Sequence, residues 1–115
     1  MSGQTLKYHH LGIPTQKRRE DEVHLSHLGV YVSGYEDSSF GIEWMRFEDD
    51  APYPDLVKTV PHVAFEVPSV REAVVGKKVI IEPNSPSPGV MVAFIEENGA
   101  PIEFIEIDRS ISDLP

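Results

Sequence analysis

The sequence predicts an α+β fold made of two related halves, each running strand, helix, then further strands. Three observations predict it. The apolar segments are short, rich in β-branched and aromatic residues, and bounded by Pro, Gly, Asn and Asp, which is strand punctuation. One segment, Ser69–Gly76, has Ser at the N-cap position, Glu72 three residues later and a terminal Gly, the signature of a short capped helix. Finally, a pattern recurs. His10-Leu-Gly-Ile-Pro matches His62-Val-Ala-Phe-Glu-Val-Pro with two extra residues, and Ile42-Glu43-Trp44 matches Ile102-Glu103-Phe104.

The elements follow in order. Leu6–Ile13 reads as a strand closed by Pro14. The charged stretch after it, rich in Lys, Arg, Glu and Asp, predicts a short exposed helix over Gln16–Val23, with Lys17, Arg18 and Arg19 on its solvated face. Gly29–Tyr35 and Phe40–Phe47 read as partnered strands. Glu48–Thr59, with Pro52 and Pro54, reads as a loop with one helical turn at Asp55–Lys58. In the second half, Pro61–Val67 is a strand ended by Pro68, and Lys77–Glu82 is another. Pro83–Gly89 reads as a turn-rich loop. Val90–Glu96 and Ala100–Asp108 form a hairpin through Asn98-Gly99, a strong turn signal. The halves span about residues 6–47 and 61–108 of one 115-residue domain, and the first is the shorter.

Composition excludes several functions. No cysteine is present, which removes disulfides, thiolate metal sites and Cys nucleophiles. The net charge of −9 disfavours nucleic acid and anionic membranes as partners. No apolar run reaches the length of a membrane span. Met1–Thr5 is polar, without a signal pattern, so a cytoplasmic location is expected.

Strand side chains alternate between faces. His10 then shares a face with Tyr8 and Gly12, while His9, Leu11 and Ile13 point away. His62 shares a face with Ala64 and Glu66, opposite the core-like Val63, Phe65 and Val67. Glu103 lies with Ile105 and Ile107, and Glu43 with Met45 and Phe47. A pseudo-twofold relation between the halves would bring His10, Glu43, His62 and Glu103 into one cleft. Two imidazoles and two carboxylates suit a divalent Zn²⁺, Ni²⁺, Co²⁺, Mn²⁺ or Fe²⁺ ion. Such an ion polarises a carbonyl, and a flanking carboxylate, Glu43 or Glu103, carries a proton. A single strand histidine is more often structural. The doubling of the pattern at matching places favours the metal reading. Tyr8 and Met45 are expected to shape the pocket. Glu66 there is either a proton carrier or a rim carboxylate. Glu106 faces away from Glu103, and Trp44 and Phe104 are core or dimer contacts. His24 and His27 receive no role.

His9-His10-Leu-Gly-Ile, Pro61-His62-Val-Ala-Phe-Glu-Val and Val92-Ala-Phe-Ile…Gly99-Ala-Pro-Ile-Glu103-Phe resemble the glyoxalase/bleomycin-resistance/extradiol-dioxygenase group, the vicinal oxygen chelate superfamily. The resemblance covers nearly the whole chain and is strongest over residues 61–108. It implies paired βαβββ modules forming a cup-shaped mixed sheet around a divalent metal, with His10, Glu43, His62 and Glu103 as ligands. That ligand set is like that of glyoxalase I. The opening and closing motifs look closer to methylmalonyl-CoA epimerase, in which a Gln takes the place of the second ligand. The implied activity is that of a metal-dependent lyase or isomerase, which chelates a small α-hydroxy or α-oxo carbonyl substrate and stabilises an enediolate during proton transfer. The alternative is a metal-free, small-molecule-sequestering protein of the bleomycin-resistance type, with ring-opening dioxygenase third. No basic cluster suited to glutathione or coenzyme A is present. Relatives commonly pair, so a homodimer is expected. The interval from His10 to Glu43 is shorter than that from His62 to Glu103, which makes Glu43 the least secure ligand.

Overall fold

The computed structural model describes residues 5–115; the start of the polar opening, residues 1–4, lies outside them. Strand β1 (Lys7–Pro14) is followed by a three-residue β2 (Val23–Leu25), a 3-10 turn at Ser26–Leu28 and β3 (Val30–Ser33). After a second 3-10 turn at Tyr35–Asp37 comes β4 (Ile42–Phe47), then helix α1 (Asp55–Thr59). The second half comprises β5 (His62–Glu66), helix α2 (Val70–Ala73), β6 (Lys78–Ser87), β7 (Val90–Glu97) and β8 (Ala100–Ile107).

The eight strands form one sheet, ordered β2-β3-β4-β1-β5-β8-β7-β6, which curls into a half-barrel. The order is symmetric about the β1–β5 seam, which is antiparallel. On one side β1 pairs in parallel with β4, and on the other β5 pairs in parallel with β8. Gly12 stands opposite Glu43 in the same relation in which Ala64 stands opposite Glu103. The duplication visible in the residues is therefore a duplication of strand register.

The expected helix over Gln16–Val23 does not form. The segment holds no apolar stripe for a helix to bury. Its end is claimed by the sheet instead, where β-branched Val23 pairs with Val32 and Leu25 with Val30. An ion pair from Arg46 Nε to Glu22 at 3.1 Å ties the approach to β4. The first half is short because β2 and β3 have three and four residues where β6 and β7 have ten and eight, while the register at Glu43 is kept.

The second half holds more of the core. Ser69 caps α2, its hydroxyl accepting the Glu72 N–H at 3.2 Å. Val67, Val70, Ala73, Ala93, Ile95 and Phe104 pack together beneath that helix, with Phe65 against them. On the opposite sheet face, Ala64, Val90, Val92 and Ile105 form a second apolar cluster. The Asn98-Gly99 turn takes positive φ at both positions, 52° and 80°, as a tight hairpin requires. The proline-rich stretch expected as a loop is instead part of β6, which runs to Ser87 with register shifts against β7. β6 is an edge strand, so prolines that donate no N–H leave no ladder bond unmade.

Candidate metal centre

The centre lies across the β1–β5 seam. His10, His62 and Glu103 are all buried, at 7%, 1% and 8% exposure. His62 Nε2 is 3.1 Å from Glu103 Oε1, His10 Nε2 is 3.3 Å from the same oxygen, and the two Nε2 atoms are 3.3 Å apart. With metal–ligand bonds of about 2.1 Å, neighbouring donors in an octahedron or tetrahedron lie about 3.0–3.4 Å apart. The three donor atoms already have that spacing, so His10, His62 and Glu103 could hold one ion. Glu43, the fourth expected ligand, comes to 3.7 Å from His10 Nε2 and stands beside the triad.

Two small residues make room for the site. The His62 ring lies over the Gly12 backbone, and a Cβ there would sit 2.2 Å from His62 Cε1. Phe94 closes the other side, its ring 5.1 Å from that of His62 and nearly perpendicular. Ala64, fully buried, stands opposite His10 in the β1–β5 ladder. Packing and the Glu103 carboxylate at Nε2 fix His62, whose buried Nδ1 has no hydrogen-bond partner among the described residues.

His10 is held differently. The β1–β5 register advances from Tyr8–Phe65 to His10–Ala64, so His9 is the extra residue of a β-bulge. The bulge brings two rings expected on opposite faces together, with His9 Nδ1 2.7 Å from His10 Nδ1. His9 Nε2 lies 2.9 Å from the oxygen of Pro115. Tyr35 stacks on His9 at 5.5 Å between centroids and donates its hydroxyl to the His9 carbonyl at 3.4 Å.

The site attracts positive charge. Burial opposes ionisation of Glu103, but hydrogen bonds from His10 and His62 and their charge outweigh it and lower the carboxyl to about 2. Burial also opposes a charged His10, yet the Glu103 hydrogen bond and the charges of Glu103 and Glu43 raise its pKa above the ordinary value. Glu43 is raised by burial, with Glu103 adding to the shift and His10 and His62 opposing it. Of the two carboxylates, Glu103 is therefore held ionised, while Glu43 takes up a proton more readily than an ordinary glutamate.

A cavity of about 280 Å³ opens onto His10, Glu43 and Glu103. Leu25, Leu28, Val90, Val92, Ile105 and Leu114 supply its apolar wall, with His9, His27 and Tyr35 at its polar side. No lysine or arginine is among its described lining residues. The three expected pocket residues lie elsewhere. Tyr8, upstream of the bulge, is 47% exposed and donates its hydroxyl to the Phe40 carbonyl at 2.6 Å. Met45 is one strand repeat beyond Glu43, opposite Pro14 and Val32. Glu66 is engaged by Arg109 through two hydrogen bonds of 2.7 and 2.8 Å. Glu106 faces the other way and accepts the Val70 N–H at 2.9 Å, which caps α2. Alternation missed His9, because a bulge breaks the period it assumes. The adjacent His-His pair was its visible signal.

No protein-family model and no curated protein matches the chain. Solved structures are similar to it, among them the following two. A hypothetical protein from Bacillus halodurans C-125 superposes with a TM-score of 0.65 at 21% identity, over 92% of this chain and 96% of that one. Methylmalonyl-CoA epimerase from Mycobacterium tuberculosis superposes with a TM-score of 0.55 at 16% identity, over 89% of this chain and 88% of that one. The likeness is one of fold: the curled half-barrel sheet of this chain superposes on both structures, and nothing in it singles out the glyoxalase I branch.

Proposed function

We propose that this protein is a metal-dependent isomerase or lyase that moves a proton next to a carbonyl in a small substrate bearing adjacent oxygens. The observation that carries this reading is the convergence of His10 Nε2, His62 Nε2 and Glu103 Oε1 at 3.1–3.3 Å, with His10 and Glu103 lining a largely apolar cavity. A divalent ion held by these three would polarise the substrate carbonyl and stabilise negative charge on its oxygen. His62 and His10 supply neutral nitrogen donors, and Glu103 supplies a carboxylate that stays ionised at any ordinary pH. Glu43 faces the same cavity without belonging to the triad. Its raised pKa makes it a stronger base than a surface carboxylate. It accepts the proton from the carbon beside the carbonyl and returns it to the neighbouring atom, so the net change is an isomerisation without oxidant or reductant.

Substrate charge is constrained by the same cavity. Coenzyme A, named in the epimerase neighbour, carries phosphates that need cationic partners, and the described lining residues include none. An uncharged, compact substrate fits better.

The test is deuterium uptake at the carbon next to the carbonyl of hydroxyacetone, in heavy water, with protein offered Ni²⁺, Co²⁺, Zn²⁺ or Mn²⁺. Uptake should depend on the ion and vanish in Glu43→Gln, which should still bind the metal. Protein that takes up no ion yet binds small apolar molecules would replace this reading with sequestration of the bleomycin-resistance type.

A further inference from the structure

We infer that Leu114 sets the size of the substrate: it walls off a site for an α-hydroxy ketone whose side group is an alkyl chain of about five carbons. Its role rests on the proposed proton transfer, because the cavity is a substrate site only if that chemistry occurs there. The wall itself does not depend on the chemistry.

Leu114 belongs to two cavities at once. It lines the cavity of about 280 Å³ that opens onto His10, Glu43 and Glu103, and it lines a neighbouring one of about 320 Å³. Tyr35 and Glu43 are common to both linings as well, so these three residues form the partition. Glu43 is fixed by strand β4, and Tyr35 is stacked on His9. Leu114 is the apolar part of the partition, and it lies in no strand or helix.

Two anchors bring it there. After β8, the Asp108 N–H donates to the Gly89 carbonyl at 2.8 Å, and the Ile111 and Ser112 N–H groups donate to the Asp108 carbonyl at 3.0 and 2.9 Å. That turn packs so closely on the β6–β7 connection that a Cβ at Gly89 would sit 3.0 Å from Ile111 Cβ. The chain then reaches the first half, where the Pro115 oxygen lies 2.9 Å from His9 Nε2. Leu114 stands between the anchors, its N–H donating to Ser112 Oγ at 3.0 Å.

Volume and lining give the substrate class. A cavity of about 280 Å³ holds about nine groups of about 30 Å³, the share of liquid volume taken by one water. The two carbons and two oxygens at the reacting end of a hydroxy ketone take four of them, which leaves about five for the side group. Leu25, Leu28, Val90 and Ile105 favour carbon in that space, and each methylene buried against them should strengthen binding about fourfold.

The test uses hydroxyacetone and its homologues, lengthened one methylene at a time to an octyl side group. Each is titrated into the ion-free protein by NMR and then assayed for Ni²⁺-dependent deuterium uptake. In the parent, affinity should rise about fourfold per methylene up to a side group near pentyl, then level or fall. Leu114→Ala joins the two cavities, so the rise should continue for about two further carbons, whereas Leu114→Phe should halt it about one or two carbons sooner. Leu114→Met, of similar volume, should keep the parental limit. Leu114 is 37% exposed, so these variants should fold as the parent does. The same limit in Leu114→Ala and Leu114→Phe, or no dependence on length in the parent, would overturn the inference. Deuterium uptake absent for every homologue with Ni²⁺ bound would refute the proposed proton transfer, while the position of the limit would still decide whether Leu114 forms the wall.

Discussion

The two halves of the molecule hold equivalent histidines by opposite means. In the second half, His62 is gripped by packing: the Gly12 backbone below, Phe94 beside it, and no hydrogen bond on Nδ1. In the first half, His10 is gripped by a hydrogen bond to a bulged neighbour, and Ala64 rather than Gly stands opposite it. The carboxylates diverge in parallel. Glu103 touches both histidines and is held ionised, whereas Glu43 occupies the matching register, approaches His10 alone at 3.7 Å and is shifted toward the protonated form. A duplicated strand register thus supplies a symmetric frame, and local differences divide it into a binding side and a proton-handling side.

The largest effect should come from exchanging the carboxylates for amides. Glu103→Gln removes the partner of two buried imidazoles, which should destabilise the ion-free protein by about 3–5 kcal/mol. Ni²⁺ affinity should fall by at least about 100-fold. Glu43→Gln should leave stability equal or higher, because burial already disfavours its charge. Its Ni²⁺ affinity should change by less than about tenfold, while deuterium exchange is lost. Chemical denaturation and calorimetry on both variants check this, and equal losses would abolish the proposed division of labour.

Gly12→Ala comes next. The new methyl meets the His62 ring at 2.2 Å, so ring or strand must move, at a cost of about 1–3 kcal/mol. The equivalent position in the other half already carries a methyl, as Ala64. A thermal melt unchanged by Gly12→Ala would show that His62 is not held by close packing.

The pH dependence of the ion-free protein is a gentler probe. Glu103 is lowered from 4.5 to about 2, so its contribution is full above 4.5 and fades as pH falls toward 2. His10 is raised above its ordinary 6.5, so its contribution is full below 6.5 and fades as pH rises through the raised value. Glu43, raised above 4.5, tilts the interval between them slightly downward with rising pH. Urea denaturation should therefore find greatest stability between about 4.5 and 6.5. Adding Ni²⁺ should reverse the alkaline loss, since the ion takes the place of the His10 proton. Stability rising steadily from pH 6 to 9 without metal would contradict the assigned shifts.

The smallest effect belongs to the Glu66–Arg109 pair. Glu66→Gln breaks an exposed pair with Arg109 and should change stability by no more than about 1 kcal/mol, with Ni²⁺ affinity unaltered.

Most of the site was legible because its residues sit on regular strands. Period-two alternation places His62 with Ala64 and Glu103 with Ile105, and the repeated motif puts the two halves face to face. Three features escaped that logic. A bulge at His9 breaks the alternation, so Tyr8 turned outward and His9 turned in. The charged Gln16–Val23 stretch has helix-compatible composition without a buried face, and Val23 and Leu25 found strand partners in β3. The prolines after Glu82 suggested a loop, but an edge strand tolerates them. Met45 was misplaced for a simpler reason: sharing a face with Glu43 does not bring it within reach of the cavity.

Anomalous diffraction from crystals grown with Ni²⁺, collected on either side of the nickel edge, tests the metal centre most directly. One strong peak should lie equidistant, at about 2.1 Å, from His10 Nε2, His62 Nε2 and Glu103 Oε1. No peak at the seam, or a peak bound only by exposed histidines such as His24 or His27, would contradict it.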